Sequence, residues 1–485
     1  MENLINALNG ALGFAETAMN SLNEVLSFAY DNVLSIAMMI LLIAAGIFLS
    51  IRTGFFQFRR FGYVMKNTIG SLFNKNMHQK DNGSVSPFQA VTTALAGTIG
   101  TGSIAGVATA LVLGGPGAVF WMWVSALLGM VTKYSEIVLA LKFREKNENG
   151  AYTGGPMYYI KNGLGIKWLA AIFAAFAMIA CIGTGNATQS NSISGVLASN
   201  LNIAPWITGI VLTVIVGVVI IGGVKRIATV NEKLVPVMAV FFIIACIVAL
   251  VFNMNRIPAA FALIFKEAFN FKSAFGGVAG YGILAAMRYG VGRGVFSNEA
   301  GLGSAPIAHS ASSTENPVKQ GVWGVFEVFI TTIIICTMSA LVILTSGIYS
   351  TAFNAGVEPS VSGAALSSVA FNEAIPYVGG IGIALATVFF ALSTILGWAY
   401  YGEVSVGYLF KNHSKTAIIV YRVIYVAFVF VGAVADITVV WLVADCFNAL
   451  MALPNLIALI GLSGLVVKIT REHFAKKHEN SESKN

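Results

Sequence analysis

The sequence predicts an all-α membrane protein of eleven spans, in which two five-span halves each begin with an interrupted helix. Three observations carry that prediction. Of 485 residues, 57% are hydrophobic and only 10% charged, where a soluble domain carries about a quarter charged residues. Mean hydropathy is +0.79, and apolar stretches long enough to cross a bilayer recur along the chain. Two of these stretches are broken by glycine-rich runs, at 94–106 and 277–304.

The elements follow in order. The first thirty residues lack a basic n-region, so they are not a standard signal peptide. Leu4, Leu8, Leu12, Phe14, Met19, Leu22, Val25 and Leu26 predict an amphipathic helix at the outer membrane surface within 1–32. An additional span follows at 33–51. The first repeat, 88–253, holds spans at 88–112, 115–141, 167–198, 204–222 and 234–253. The second, 277–467, holds spans at 277–304, 321–347, 376–401, 416–434 and 438–467, before a basic tail at 468–485.

Charge supports this count. With the N-terminus outside, the cytoplasmic loops and tail hold 22 of the 29 Lys and Arg residues, and the outer segments hold three. Positive residues mark the cytoplasmic side. The net charge of +8 therefore reads as orientation and not as nucleic-acid binding. Cys181, Cys246, Cys336 and Cys446 each fall within apolar stretches without paired spacing, as buried inert thiols do. The five histidines form no metal-ligand pattern.

The run from Ala94 to Gly106 places four glycines in ten residues. A spanning helix must satisfy its own backbone, so a break at membrane depth has to face protein or a cavity. The second interruption contains Met287-Arg288-Tyr289-Gly290-Val291-Gly292-Arg293-Gly294. The extra span aside, the broken spans are first and sixth of ten, the placement expected of an inverted repeat with its binding site between the halves. A half-helix starting near Thr101 would offer free amides and partial positive charge to a carboxylate. Carbonyls of Ala96 and Ile99 would be free for a small hard cation. The alternative is a glycine seam for close helix packing.

Other polar residues leave two readings each. Asn186 and Gln189 share a helix face and either link helices or touch a ligand. Ser393 and Thr394 either bond back to their own helix or offer two hydroxyls to an ion. Trp398, one turn beyond Thr394, is core packing or a pocket wall. Arg293 with Glu299 reads as a gate or latch, and Lys133 with Glu136 as a structural pair. Glu327, Glu403 and Asp445 are candidate proton carriers or paired bundle residues. No nucleophile–base–orienter set appears, which speaks against an enzyme.

Five segments are long enough to compare with a known family: Gly97–Gly102, Gly114–Trp123, Thr153–Tyr159, Arg293–Pro306 and Gly397–Glu403. They resemble the alanine or glycine:cation symporter family, part of the amino acid-polyamine-organocation superfamily, from about residue 30 to 470. The resemblance implies a LeuT-type 5+5 inverted-repeat fold with one extra N-terminal span, in the cell (inner) membrane. It implies symport of small neutral amino acids, alanine or glycine, with sodium. The amides of Thr101 and Gly102 would then hold the substrate carboxylate. Gln189, with Asn186 on its face, and unwound backbone around Met287–Gly290 would lie near the amino group. Trp398 would close the pocket, and Ala96, Ile99, Ser393 and Thr394 would form the main sodium site. Ser103 stands where the family usually has asparagine, which speaks against a second cation and enlarges the pocket slightly. Proton coupling through Glu327 or Asp445 is the alternative, and a channel or other non-carrier is a third.

Overall fold

In a computed structural model, which describes residues 24–25, 27–28, 30–72, 77, 85–147, 150–270, 282–349 and 363–482, the chain is almost wholly helical. The amphipathic N-terminal segment falls largely outside the described residues. The first spanning helix is α1 (Ser35–Arg52). A tight turn with positive φ at Gly54 and Phe55 then leads into the short helices Phe56–Arg59 and Phe61–Asn67.

The first interrupted span is α2 (Pro87–Thr98) and α3 (Ala105–Gly114). Ser86 starts α2 with a capping box, accepting from Gln89 N at 3.1 Å while its own amide donates to Gln89 Oε1 at 3.3 Å. The long, mostly buried α4 (Gly117–Lys142) follows, and then a hairpin of β1 (Glu145–Lys146) and β2 (Tyr152–Thr153). Next, α5 (Lys167–Ile182) runs through a π-turn at Gly183–Ala187 into α6 (Thr188–Leu201). The half closes with α7 (Pro205–Ile221) and α8 (Gly223–Phe252), and α9 (Ile257–Ala268) connects to the next.

The second half opens with α10 (Ile283–Asn298) and the short α11 (Ala305–Ser310). After them, α12 (Pro317–Val328) passes through a π-helical stretch, Phe329–Cys336, into α13 (Thr337–Thr345). The remaining helices are α14 (Gly363–Ala374), α15 (Gly379–Phe410), α16 (Ser414–Val434), α17 (Ile437–Gly461) and α18 (Ser463–Glu482).

Eight helical stretches among the described residues are long and apolar enough to cross a membrane. The three other expected spans fall on the broken pair α2–α3, on the shorter α7, and on α10 with the break that follows it, the first residues of that last span, 277–281, lying outside the described residues. On α7 and α8, Val214, Ile221 and Val237 are 60%, 76% and 69% exposed. Apolar side chains exposed in such rows suit lipid and not water. Inside, α4 packs on α10 and α12, while α5 and α8 pack on α15. The broken helices lie at the centre, and a parallel bridge between Val85 and Ser312 ties the entry of α2 to the exit of α11.

Three boundaries differ from expectation. The expected span 234–253 begins at Gly223, because Lys225, Arg226 and Lys233 are good helix formers that extend it beyond its apolar part. A helix, α14, occupies a stretch expected as loop; Ser367 on it donates to Ile104 O at 3.1 Å, satisfying a carbonyl beside the first break. The third difference is functional. Met287–Gly290 is not unwound but lies inside α10. Its glycine serves contact: a Cβ on Gly290 would stand 2.4 Å from Ala118 O of α4. The second break falls later, where Glu299, Gly301 and Gly303 have φ of 57°, 93° and 80°.

Candidate functional site

The first break begins where α2 ends at Thr98, with Ile99 leaving helical geometry at φ −84° and ψ 69°. Gly100 is extended, Thr101–Ser103 form a single 3₁₀ turn, and α3 restarts at Ala105. The interrupted backbone is met by side chains from other helices. Thr101 donates its amide at 3.2 Å and its hydroxyl at 2.9 Å to Gln189 Oε1. The Ser103 carbonyl accepts from Ser339 of α13 at 2.7 Å. Its hydroxyl lies 3.1 Å from the hydroxyl of Ser297 on α10. Gly102 is packed against Phe296 and Ser297, so the first break rests on the last turn before the second.

Of the four residues expected at the cation, two meet directly: Thr394 Oγ1 on α15 lies 2.7 Å from Ala96 O on α2. The same hydroxyl is 2.9 Å from Phe390 O of its own helix. Ser393 is turned back instead, donating to Phe390 O at 2.8 Å and facing Met238 Sδ at 3.4 Å. Ile99 is buried in the same cluster as Ala96 and Met238. A carbonyl and a hydroxyl of this kind are oxygen donors suited to a hard cation.

The two amides on the fourth expected span divide their work. Gln189 reaches the break, with Nε2 donating to Thr184 O at 3.0 Å. Asn186 links helices, donating to Tyr425 O on α16 at 2.6 Å, while its buried Oδ1 has no hydrogen-bond partner among the described residues. Both lie where α5 becomes α6 through the π-turn, which widens the helix at Gly183–Ala187.

Trp398 is 1% exposed and fills the space beside that turn. A Cβ on Gly185 would stand 2.1 Å from Trp398 Cβ, so only glycine admits the indole here. The indole N–H donates to Glu299 Oε1 at 2.9 Å. Glu299 Oε2 accepts from Ser304 at 2.5 Å, which fastens the two ends of the second break together. Trp398 and Thr394 thus join one face of α15 to both breaks. With Thr101 at 0% and Gln189 at 2% exposure, the whole arrangement is occluded.

The charged residues pair differently from expectation. Arg293 does not meet Glu299; it forms a two-pronged bond with Asp445 on α17, at 3.1 and 2.6 Å. Glu299, one and a half turns beyond Arg293 and in a left-handed conformation, points instead to the break. Lys133 does not meet Glu136 but lies 3.3 Å from Glu327 of α12 and donates to Asn298 O at 2.8 Å. Glu327 also meets His309 at 2.8 Å. Glu136 accepts from Gly301 N at 3.0 Å and from Asn455 at 2.6 Å. Glu136 thereby braces the second break directly, and Glu327 does so through Lys133. Glu403 pairs with Arg422. The sequence reading missed Glu299 as the partner of Trp398; its signal was position, inside the same run as Ser297 and Gly301.

Beyond the membrane helices, Arg144 donates to Ser312 O at 2.6 Å and Thr314 O at 2.9 Å, holding the loop after α11. Glu145 beside it is opposed by partial burial, yet hydrogen bonds from Asn162 and Lys161 hold its carboxyl below the usual range.

The chain is similar to several known proteins. The profile of the sodium:alanine symporter family matches residues 19–485. The sodium/alanine symporter AgcS of Methanococcus maripaludis is 46% identical over 90% of this chain and 93% of its own. The probable sodium/glutamine symporter GlnT of Bacillus subtilis is 36% identical over 94% of this chain and 91% of its own. Among solved structures, MhsT in complex with L-phenylalanine matches with a TM-score of 0.56 at 14% identity, covering 80% of this chain and 99% of that one. That likeness gives the LeuT-type fold. The chain is a multi-pass membrane transporter and not an enzyme, and with a profile matched along nearly its whole length it belongs to the sodium:alanine symporter family.

Proposed function

We propose that the protein takes up a small neutral amino acid, alanine or glycine, by symport with sodium through alternating access. The observation that carries this reading is the convergence of the first break on Gln189 and Thr394. Thr101 presents an amide and a hydroxyl at one point, both held by Gln189 Oε1. The substrate carboxylate takes that place, with Gly102 as second donor. Ser103 lines the pocket beside Ser297, and Gln189 turns toward the ammonium. The carbonyl of Ala96 and hydroxyl of Thr394 supply the sodium site, completed by Ile99 and Ser393 once Ser393 releases its own helix.

Trp398 occupies the side-chain end and limits the substrate to small residues. GlnT is named for a larger amide substrate, and on this reading the smaller limit here is set by Trp398. Sodium and not a proton is favoured because Glu327 and Asp445 are each engaged by a cation, Lys133 and Arg293. On this reading the helices of 88–253 and 277–467 are inverted repeats, 33–51 is the extra span, and the tail 468–485 is cytoplasmic. Rocking of one bundle about the paired breaks exposes the site to each side in turn.

Proteoliposomes without internal sodium should accumulate labelled alanine when sodium is added outside. Uptake indifferent to sodium, or collapsing with a pH gradient alone, would overturn the coupling.

A further inference from the structure

At the end of α1, remote from the two breaks, a cavity of about 380 Å³ opens between the turn at Arg52–Gly54, the short helix Phe56–Arg59 and α18. Four arginines line it, Arg52, Arg59, Arg60 and Arg471, and among the described residues no acidic one does. All four are exposed, and none forms an ion pair with a carboxylate among the described residues. Glu472, the neighbour of Arg471 in sequence, lies 3.9 Å from Lys468 instead. Like charges gathered without a counter-charge repel one another, and an anion in their midst relieves that repulsion.

The cavity is built on a firm floor. Phe56 is 3% exposed and stacks on Tyr134 at 4.3 Å, and the Tyr134 hydroxyl lies 2.7 Å from that of Thr470 on α18. The Arg60 guanidinium is held over the Phe474 ring at 4.5 Å, and Arg59 donates to Gly54 O at 3.4 Å. Planar guanidinium groups fixed in this way present paired donors to phosphate oxygens.

The rim says what kind of phosphate. Ile47 and Ile51 on α1 are 45% and 62% exposed, and Phe55 and Phe58 beside the arginines are 48% and 51% exposed. An apolar, membrane-facing track therefore runs along α1 to the mouth of a basic cavity at its end.

We infer that this cavity is a binding site for one anionic diacyl phospholipid, its phosphodiester among the arginines and an acyl chain along Ile47 and Ile51. Basic residues here do more than orient the chain; they select the lipid beside α1 and α18.

Native mass spectrometry of the full chain, purified in neutral detergent with equal phosphatidylglycerol and phosphatidylcholine, tests this. Phosphatidylglycerol adducts should exceed phosphatidylcholine adducts by roughly tenfold. The triple variant Arg59→Gln, Arg60→Gln, Arg471→Gln should bring the two to parity. Removing Lys468 and Lys476, which lie outside the cavity, should leave the preference intact. Should the triple variant fail to fold, Arg60→Gln alone is read the same way, with a partial loss expected. Equal adducts on the unaltered chain, or an equal loss from the two lysine changes, overturn the site. Displacement of phosphatidylglycerol by millimolar inorganic phosphate would overturn the lipid in favour of the free ion.

Discussion

The indole N–H of Trp398 stands 2.9 Å from Oε1 of Glu299, so a side chain of α15 is fastened to the bend that ends α10. The residue proposed to limit substrate size is thereby also a strut for the second break, and its replacement tests both roles separately.

Trp398→Phe keeps most of the packing and removes the donor. An oxygen of a buried carboxylate then loses its partner, at a cost of about 1–3 kcal/mol. The thermal midpoint in detergent should fall while alanine remains preferred. Trp398→Ala should fall further and let larger amino acids compete for uptake. Gly185→Ala on its own places a methyl 2.1 Å from Trp398 Cβ and should reduce stability; combined with Trp398→Gly, which removes that Cβ as well as the indole, the added cost of the methyl should largely vanish.

Gln189→Ala removes the side chain proposed to turn toward the substrate ammonium once the carboxylate has taken its place at Thr101. Loss of a directional polar contact is worth about 1–2 kcal/mol, so the alanine dissociation constant should rise by roughly tenfold. Isothermal titration with alanine at saturating sodium measures this. Unchanged affinity would remove Gln189 from the site.

Thr394→Val preserves shape and deletes the hydroxyl that meets Ala96 O. The sodium concentration giving half-maximal uptake should rise by roughly tenfold or more, as expected for the loss of one hard oxygen ligand. Ser393→Ala should have the smaller effect, because its hydroxyl is committed to Phe390 O in this state.

Lys133→Met removes the ammonium from the Glu327 carboxylate, leaving it only His309, in a site where the Lys133 and Glu327 side chains are both 0% exposed. Breaking such a pair from one side costs about 3–5 kcal/mol. The variant should denature at a markedly lower temperature. The double change Lys133→Met, Glu327→Leu should recover part of the loss, with His309 Nε2 left without its acceptor while Nδ1 keeps Gln320.

Much of the helical layout was legible because a bilayer demands long apolar runs, and no other solvent enforces so plain a rule. The first break was legible too, since Gly97, Gly100 and Gly102 crowd a short interval that must bend. The second was misplaced by about ten residues. Gly290, Gly292 and Gly294 looked like a break and are helical, and Gly290 lies in the seam against α4. Glycine in sequence does not say whether its missing side chain serves a bend or a neighbour. Charge partners were the least legible. Arg293 and Asp445 lie 152 positions apart, and only the packing of α10 on α17 brings them together. α14 was missed because twelve residues are too few to read as a span.

The bond between Thr101 and Gln189 bears on the unloaded half of the cycle. A carrier that returns without cargo takes its empty donors through a dry interior, where a stranded amide is expensive. Here the amide and hydroxyl travel already occupied by a tethered surrogate. On the proposed reading, arrival of cargo swaps one acceptor for another, and departure swaps them back. That reading keeps the grip on the passenger moderate and lets the vacant shuttle turn around about as readily as the full one.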